Sequence, residues 1–237
     1  MPRSGSGSAS YAVGVLLAFD TSTDVVTVAL HDGTRVVGHR TGSGVRRHAE
    51  VLSPLAAEVL GGAGLSGSRL DGIGVGVGPG AYTGLRVGLV TAQALSVAWS
   101  VPARGACSLD AIAVQAFHEH PARFPHGFLV VTDARRRQVF WARYTAEGQR
   151  VAGPAVGRAD SVPSRELPAV GSGALAHHDL FGETLEPAGP DAGWLARGLL
   201  DGSIPAQPVA PVYLRQPDVT VAGAAKPVLQ PGAPRAG

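Results

Sequence analysis

One cysteine, one lysine and one methionine stand in 237 residues, and each scarcity closes off a class of protein. A lone Cys107 can form neither an internal disulfide nor a four-cysteine zinc site, which removes disulfide-framed secreted domains. The only lysine, Lys226, sits in a Pro/Gly-rich tail and follows no glycine-rich loop, so the G-x-x-x-x-G-K-[ST] phosphate loop is missing and no Schiff-base lysine stands out. Charged residues make up 16% of the chain, below the ~25% of an average domain. No apolar run reaches the ~18 residues needed to span a bilayer. What is abundant is glycine, 33 residues, and an ordinary 45% of apolar residues. The near-total replacement of Lys by Arg reads as base-composition bias, and a formal charge of +2 is too small and too dispersed to signal a dedicated nucleic-acid binder.

The length suits one to two domains of about 100 to 200 residues. Arg3 ahead of an apolar run over 11–19 imitates a signal peptide. A Ser/Gly stretch precedes that run, it ends in Asp20-Thr21-Ser22-Thr23 without a cleavage site, and apolar sequence resumes, so a core strand is the better reading. The cytoplasm is then the expected compartment. Residues 1–11 and 217–237 are expected to be disordered tails, the latter carrying four prolines.

Between the tails, the apolar run at 13–19 and the β-branched run at 25–30 read as strands. The Asp32-Gly33 pair is a hairpin signal returning a third strand over 34–40. A helix is predicted over 48–60, kinked at Pro54. A glycine-interleaved strand at 73–77, a helix over 81–99, a strand at 101–106 and a helix opening at Ser108 follow. The pattern then repeats about 113 residues on: a strand at 128–133 ending in Asp133, a strand at 138–144, an Asp32-Gly33-like hairpin at Glu147-Gly148 and a strand at 149–156. A short strand near 169–171 and a helix near 192–200 complete an abbreviated second copy. The predicted fold is α/β, with duplicated βββα halves of the actin-like, Hsp70-like and sugar-kinase-like (ribonuclease H-like) type, divided into 12–107 and 108–216.

In such folds the strand-ending aspartates and the turns after them face a nucleotide cleft. The candidate nucleotide-facing residues are therefore Asp20, Thr21, Ser22, Gly78, Pro79, Gly80 and Asp133. An ordinary Asx turn at Asp20 is the competing reading. The stretch Gly76-Val77-Gly78-Pro79-Gly80-Ala81 matches a dinucleotide fingerprint formally. It follows the wrong strand, however, Pro79 removes an N–H that would cradle a pyrophosphate, and only Arg104 lies near the position of the usual ribose-binding acid. Gly84, Gly88 and Ala92 fall on one face of the 81–99 helix. Interior glycine costs about 1 kcal/mol against alanine, so another backbone is expected to approach closely, either within the chain or across a subunit contact. His48 is followed four residues later by Leu52, which cannot complete a helical His-x-x-x-His metal pair. No metal site and no catalytic constellation is expected. Cys107 reads as a small buried hydrophobe, and Arg135, Arg136 and Arg137 fit either a phosphate contact or a solvated turn.

Several motifs occur in one order: Leu17-Ala-Phe-Asp20-Thr-Ser-Thr23, Arg47-His48-Ala-Glu50-Val-Leu52, Gly78-Pro79-Gly80-Ala81-Tyr82-Thr83-Gly84-Leu85-Arg86-Val87-Gly88, Ser108-Leu-Asp-Ala111, Asp133-Ala-Arg135 and Pro211-Val-Tyr-Leu-Arg215. Together they resemble the TsaB (YeaZ) family over residues 15–217. The resemblance implies a non-catalytic subunit of the bacterial system that places a threonylcarbamoyl group on N6 of adenosine 37 in tRNAs reading codons that start with A. It implies heterodimerisation with the transferase TsaD, whose His-x-x-x-His metal pair this chain lacks, and association with a P-loop ATPase, TsaE. No intrinsic cofactor is implied; ATP or ADP and metal belong to the partners, and tRNA is met through the complex. The interface expected with TsaD comprises Arg47, His48, Val51, Leu52, Tyr82, Thr83, Gly84, Leu85, Arg86 and Gly88. A homodimer is the alternative pairing of the isolated chain. The competing functions are a freestanding Mg-ATP-dependent kinase or ATPase using Asp20 and Asp133, and a glycoprotease-type metallopeptidase.

Overall fold

The computed structural model describes residues 14–45 and 47–215. The expectations for the two tails, and for the first residue of the opening strand, lie outside the described residues. The first half runs β1 (Leu16–Asp20), β2 (Val25–His31), β3 (Val36–Ser43), α1 (His48–Gly62), β4 (Gly72–Gly76), α2 (Tyr82–Trp99), β5 (Ala103–Ala106) and α3 (Ser108–Glu119). The second runs β6 (Phe128–Asp133), β7 (Gln138–Tyr144), β8 (Arg150–Arg158), β9 (Pro168–Val170), α4 (Ser172–Ala176), β10 (Glu183–Leu185) and α5 (Ala192–Asp201).

Each half builds one five-stranded sheet, ordered β3-β2-β1-β4-β5 and β10-β9-β6-β7-β8. Read from opposite edges, the two orders are the same. The antiparallel meander β1-β2-β3 is matched by β6-β7-β8, and the parallel additions β4 and β5 by β9 and β10. The offset of about 113 residues links both ends of β2 to both ends of β7, as well as Asp20 to Asp133. This is the duplicated actin-like α/β arrangement. Gly33 and Gly148 take the positive φ (92° and 79°) that their hairpins require. The second copy is shortened where the sequence looked weakest: a single 3-10 turn at Ala159–Ser161 stands where the first copy has α1, and α4 has five residues against the eighteen of α2.

Some boundaries differ from expectation. The third strand begins at Val36, because Asp32 Oδ1 accepts from the Thr34 and Arg35 N–H groups and keeps those residues in the turn. The Val101 N–H is taken by Ser96 O, so β5 starts at Ala103. Helix α1 runs unbroken through Pro54. Two elements, α4 and β10, are additions to the sequence reading.

The halves exchange their closing helices. Leu109, Ile112 and Ala113 of α3 pack with Phe128, Val130 and Tyr144 of the second sheet. Leu195, Ala196 and Leu199 of α5 pack on Leu16, Ala18 and Ala29 of the first sheet. Helix α5 thus lies in the 108–216 stretch but caps the first sheet. A buried cluster secures α3: Asp110 accepts from Tyr144 Oη at 2.7 Å and pairs with Arg150 Nε at 3.1 Å. Among the described residues no helix is long and apolar enough to cross a membrane.

A second tie holds α5 to the meander. Asp191 caps α5, accepting from the Gly193 and Trp194 N–H groups, and its Oδ2 lies 2.6 Å from His39 Nε2 on β3. The hydrogen bond to Asp191 raises the His39 pKa above 6.5 against the opposing effect of burial. Burial pushes Asp191 up, but the His39 bond and charge and the two cap N–H groups outweigh it and hold the carboxyl below 3.8. The stabilisation from His39 is therefore complete below its unfolded pKa and lost as pH rises through the raised folded value. The Asp191 part is lost as pH falls through its lowered one. In urea denaturation, His39→Gln is expected to be less stable than the parent near pH 6, with the difference shrinking steadily as pH rises past the folded His39 value.

Candidate functional site

The two halves face each other across a cleft of about 710 Å³, lined from the first half by Ser22, Asp24, Pro79, Gly80 and Tyr82 and from the second by Asp133, Arg135 and Ser172. The segment 211–215 runs along it. The Val212 N–H donates to Val77 O, Tyr213 stacks on Tyr82 with ring centres 4.8 Å apart, and Arg215 Nη1 donates to Ala134 O. Arg86 lies over the Tyr82 ring at 3.9 Å and donates from Nε to Tyr213 Oη. The closing motif Pro211-Val-Tyr-Leu-Arg215 therefore fastens α2 to the β6–β7 hairpin. Arg135 on that hairpin pairs with Asp24 across the cleft and sits 3.8 Å from Asp133. Arg135, Arg136 and Arg137 all adopt positive φ, a conformation costing L-residues roughly 1–2 kcal/mol each.

The two strand-ending aspartates have diverged. Asp133 is exposed to the cleft, its Oδ1 accepting only from the Arg135 N–H among the described residues. Asp20 is fully buried. Its Oδ1 accepts from the Ser22 N–H at 2.7 Å and Ser22 Oγ at 2.6 Å, and its Oδ2 from Ser108 Oγ at 2.5 Å. Burial raises its pKa, partly offset by those hydrogen bonds. Thr21 is equally buried and donates from Oγ1 to Gly84 O. Asp20 and Thr21 therefore do not face a nucleotide: they form the inner wall, while Ser22, Pro79, Gly80 and Asp133 reach the cleft and Gly78 lies behind it. Where a kinase needs carboxylates from both halves free to hold a metal, this cleft presents Asp133, an Asp24 already paired with Arg135 and an Asp191 already held by His39 and the α5 cap.

The reason is steric. A Cβ on Gly76 would come within 1.8 Å of Asp20 Oδ2, on Gly80 within 2.3 Å of Ser22 O, on Gly84 within 2.3 Å of Thr21 O, and on Gly88 within 2.4 Å of Thr21 Oγ1. The Ala81 N–H also donates to Ser22 O. The glycines from Gly76 to Gly88 thus form a saddle seated on the Asp20-Thr21-Ser22 turn. This corrects the expected interface. Gly84, Leu85 and Gly88 face inward, Leu52 is in the core, Val51 packs over Gly42, and His48 Nε2 is bonded to Thr23 O at 2.9 Å. The close backbone approach signalled by the glycines is internal. Of the ten residues, Arg47, Thr83 and Arg86 face outward and Tyr82 is half-buried. The outer face of α2 continues from Thr83 and Arg86 to Val90 and Val97, which are 63% and 83% exposed. Those two valines were missed because they blend into an apolar helix.

Cys107 is buried with its thiol pushed up to about 12 by desolvation, so it is inert as a nucleophile. Among the described residues no group of three or more His, Cys, Asp or Glu could hold a metal ion. The saddle predicts that Gly84→Ala costs about 1–3 kcal/mol, through overpacking against the Thr21 carbonyl. Gly61→Ala, with no atom near its new methyl, is expected to stabilise by about 0.5–1 kcal/mol. Chemical denaturation of both variants checks the contrast.

Comparison with known proteins agrees with this architecture. Residues 36–186 match the family model described as TsaD: tRNA N6-adenosine threonylcarbamoyltransferase. An uncharacterised protein of Mycobacterium tuberculosis is 41% identical over 210 residues, covering 87% of this chain and 94% of that one. The Escherichia coli tRNA threonylcarbamoyladenosine biosynthesis protein TsaB is 33% identical over 130 residues, 54% of each chain. Among solved structures, YeaZ from Pseudomonas aeruginosa superposes with a TM-score of 0.69 at 28% identity, covering 84% of this chain and 99% of that one. A second Pseudomonas aeruginosa structure, described as similar to the peptidase YeaZ, gives 0.72 over 85% and 99% of the two chains. With the TsaD family model matched over more than half of its length, and with TsaB-named relatives and YeaZ structures sharing its sequence and fold, this chain belongs to the TsaB (YeaZ) family.

Proposed function

We propose that this protein serves in the formation of threonylcarbamoyladenosine in tRNA as a non-catalytic subunit, pairing with a TsaD-type transferase through the outer face of α2 and the adjoining start of α1. The observation that carries the reading is the internal use of Asp20 and His48, two first-half groups that would otherwise serve chemistry. Asp20 is consumed by Ser22 and Ser108, and His48 is bound to the Thr23 carbonyl. Leu52 fills the core where a second histidine would be needed for a metal pair. What remains outward on the same helices is a row at helical spacing, Thr83, Arg86, Val90 and Val97, with two large apolar side chains in water.

Such a face gains most by covering another helix of similar shape. A tRNA N6-adenosine threonylcarbamoyltransferase from Pelobacter propionicus is 34% identical to this chain over 134 residues. In the proposed pairing, a paralogue of that kind meets this face with helices of its own. In this reading ATP or ADP and metal reside on the transferase and on a TsaE-type P-loop ATPase, tRNA is engaged through the assembly, and a homodimer of the isolated chain uses the same α2 face.

Because Val90 and Val97 are exposed, Val90→Glu/Val97→Glu is expected to leave the folded state intact while weakening co-purification with the TsaD-type partner by roughly tenfold or more. It should also lower threonylcarbamoyl transfer in a reconstituted reaction. Unchanged complex formation by this variant contradicts the proposed face. Saturable Mg-ATP binding by the isolated chain, lost in Asp133→Asn, would instead favour the kinase reading.

A further inference from the structure

In the first half, α1 covers the outer side of the meander completely. Val26, Val28 and Leu30 of β2 are fully buried and pack with Leu52, Ala56, Val59 and Leu60 of that helix. Opposite Leu30 and Val26 on β3 stand Gly38 and Gly42, where a Cβ would fall 3.1 Å from Val59 and 2.8 Å from Val51. Between them, Arg40 pairs with Glu58 of the same helix.

The duplication gives this face a counterpart. The register that equates β2 with β7 sets Val139, Trp141 and Arg143 where the first sheet has Val26, Val28 and Leu30. Small residues again lie opposite on β8, namely Gly157, Ala155 and Ala152. The helix is missing: in place of the fifteen residues of α1 there is the three-residue turn at Ala159–Ser161. Ala159 and Val162 cover Val139. Beyond it the cover thins, for Trp141, Arg143, Ala152 and Ala155 keep part of their surface in water and neighbouring Val151 is 51% exposed.

Arg143 is the telling residue on this face. Arg123, Arg150 and Arg158 of the same half each hold a carboxylate. The half-buried Arg143 guanidinium makes no hydrogen bond or ion pair among the described residues. It has lost hydration without gaining the charge-assisted contact that Arg40 finds on α1.

We propose that the outer face of β7–β8 around Trp141 and Arg143 docks an amphipathic helix of a partner protein. Aliphatic side chains of that helix lie against Trp141, Ala152 and Ala155, and a glutamate or aspartate on the same helix face meets Arg143. The partner thus supplies from outside what α1 supplies from within. A second copy is the poorer match, because the exposed row on α2 carries Arg86 and that helix has no acidic residue. The face belongs to the second sheet, whereas α2 packs on the first, so this docking is independent of the pairing proposed above.

The test puts the photo-cross-linker p-benzoylphenylalanine in place of Ala152 in the full chain, in its own cells, and sequences the cross-linked peptide by mass spectrometry. One discrete peptide of another protein is expected, with aliphatic residues at three- and four-residue spacing and an acidic residue on that face. Arg143→Glu should lower the cross-link yield roughly tenfold or more through like-charge repulsion, and changing the partner's acid to arginine should restore it. Val151→Glu, at an exposed position, should lower the yield without disturbing the fold. The proposal is overturned if no discrete cross-link forms or if all cross-links are to peptides of this chain. It is equally overturned by a partner peptide lacking the apolar spacing or the acid, by full yield in either glutamate variant, or by failure of the charge reversal to restore it.

Discussion

The approach of the 76–88 backbone to the Asp20-Thr21-Ser22 turn is the contact on which the first half of the molecule depends. Four glycine positions sit where a methyl group would fall 1.8–2.4 Å from atoms of that turn, well inside any real contact distance. In return, Asp20 receives three hydrogen bonds and Thr21 is tied to α2. Burying a carboxylate is costly unless it is fully hydrogen-bonded. The saddle offsets that cost by bringing Ser108 and Ser22 to both carboxylate oxygens, and Ser108 Oγ in turn accepts from the Gly78 N–H. Strand β4, helix α2 and the start of α3 are thereby fixed around one turn.

The same contact accounts for the asymmetry between the duplicated halves. Asp20 and Asp133 occupy equivalent strand ends, yet one is enclosed and the other opens on the cleft, because the second half has no long glycine-bearing helix to close over its turn. There, α4 is five residues long, and the β6–β7 hairpin instead reaches outward through Arg135 to Asp24 of the opposite half. The cleft is thus bridged by an ion pair and by the Tyr82–Tyr213 stack. With the inner turn sealed and α2 braced from behind, the outer surface of α2 is left as a firm, partly apolar face.

Much of this was legible in the chain. The β-branched runs, the Asp-Gly and Glu-Gly hairpins and the strand-ending aspartates located the two meanders, because each is a local signal with a local cause. Elements α4 and β10 were not, since five and three residues are too few to show a period. The docking of α5 on the first sheet left no local trace either, as its apolar face would suit either sheet. Gly84 and Gly88 announced a close approach, but spacing alone cannot say whether the approaching backbone belongs to the same chain. Nor could it separate Asp20 from Asp133: the residues are identical, and Gly76, Ser22 and Ser108 make the difference in three dimensions.

In the proposed reading, the inward-turned Asp20, Thr21 and His48 leave the outer face of α2 to hold a partner. The most direct test is depletion of this protein in its own cells, followed by mass spectrometry of tRNA nucleosides and complementation. Threonylcarbamoyladenosine is expected to fall on depletion and to be restored by the parent chain and by Asp133→Asn, but not by Val90→Glu/Val97→Glu. Undiminished threonylcarbamoyladenosine after depletion, or full restoration by the valine variant, would contradict the proposed role.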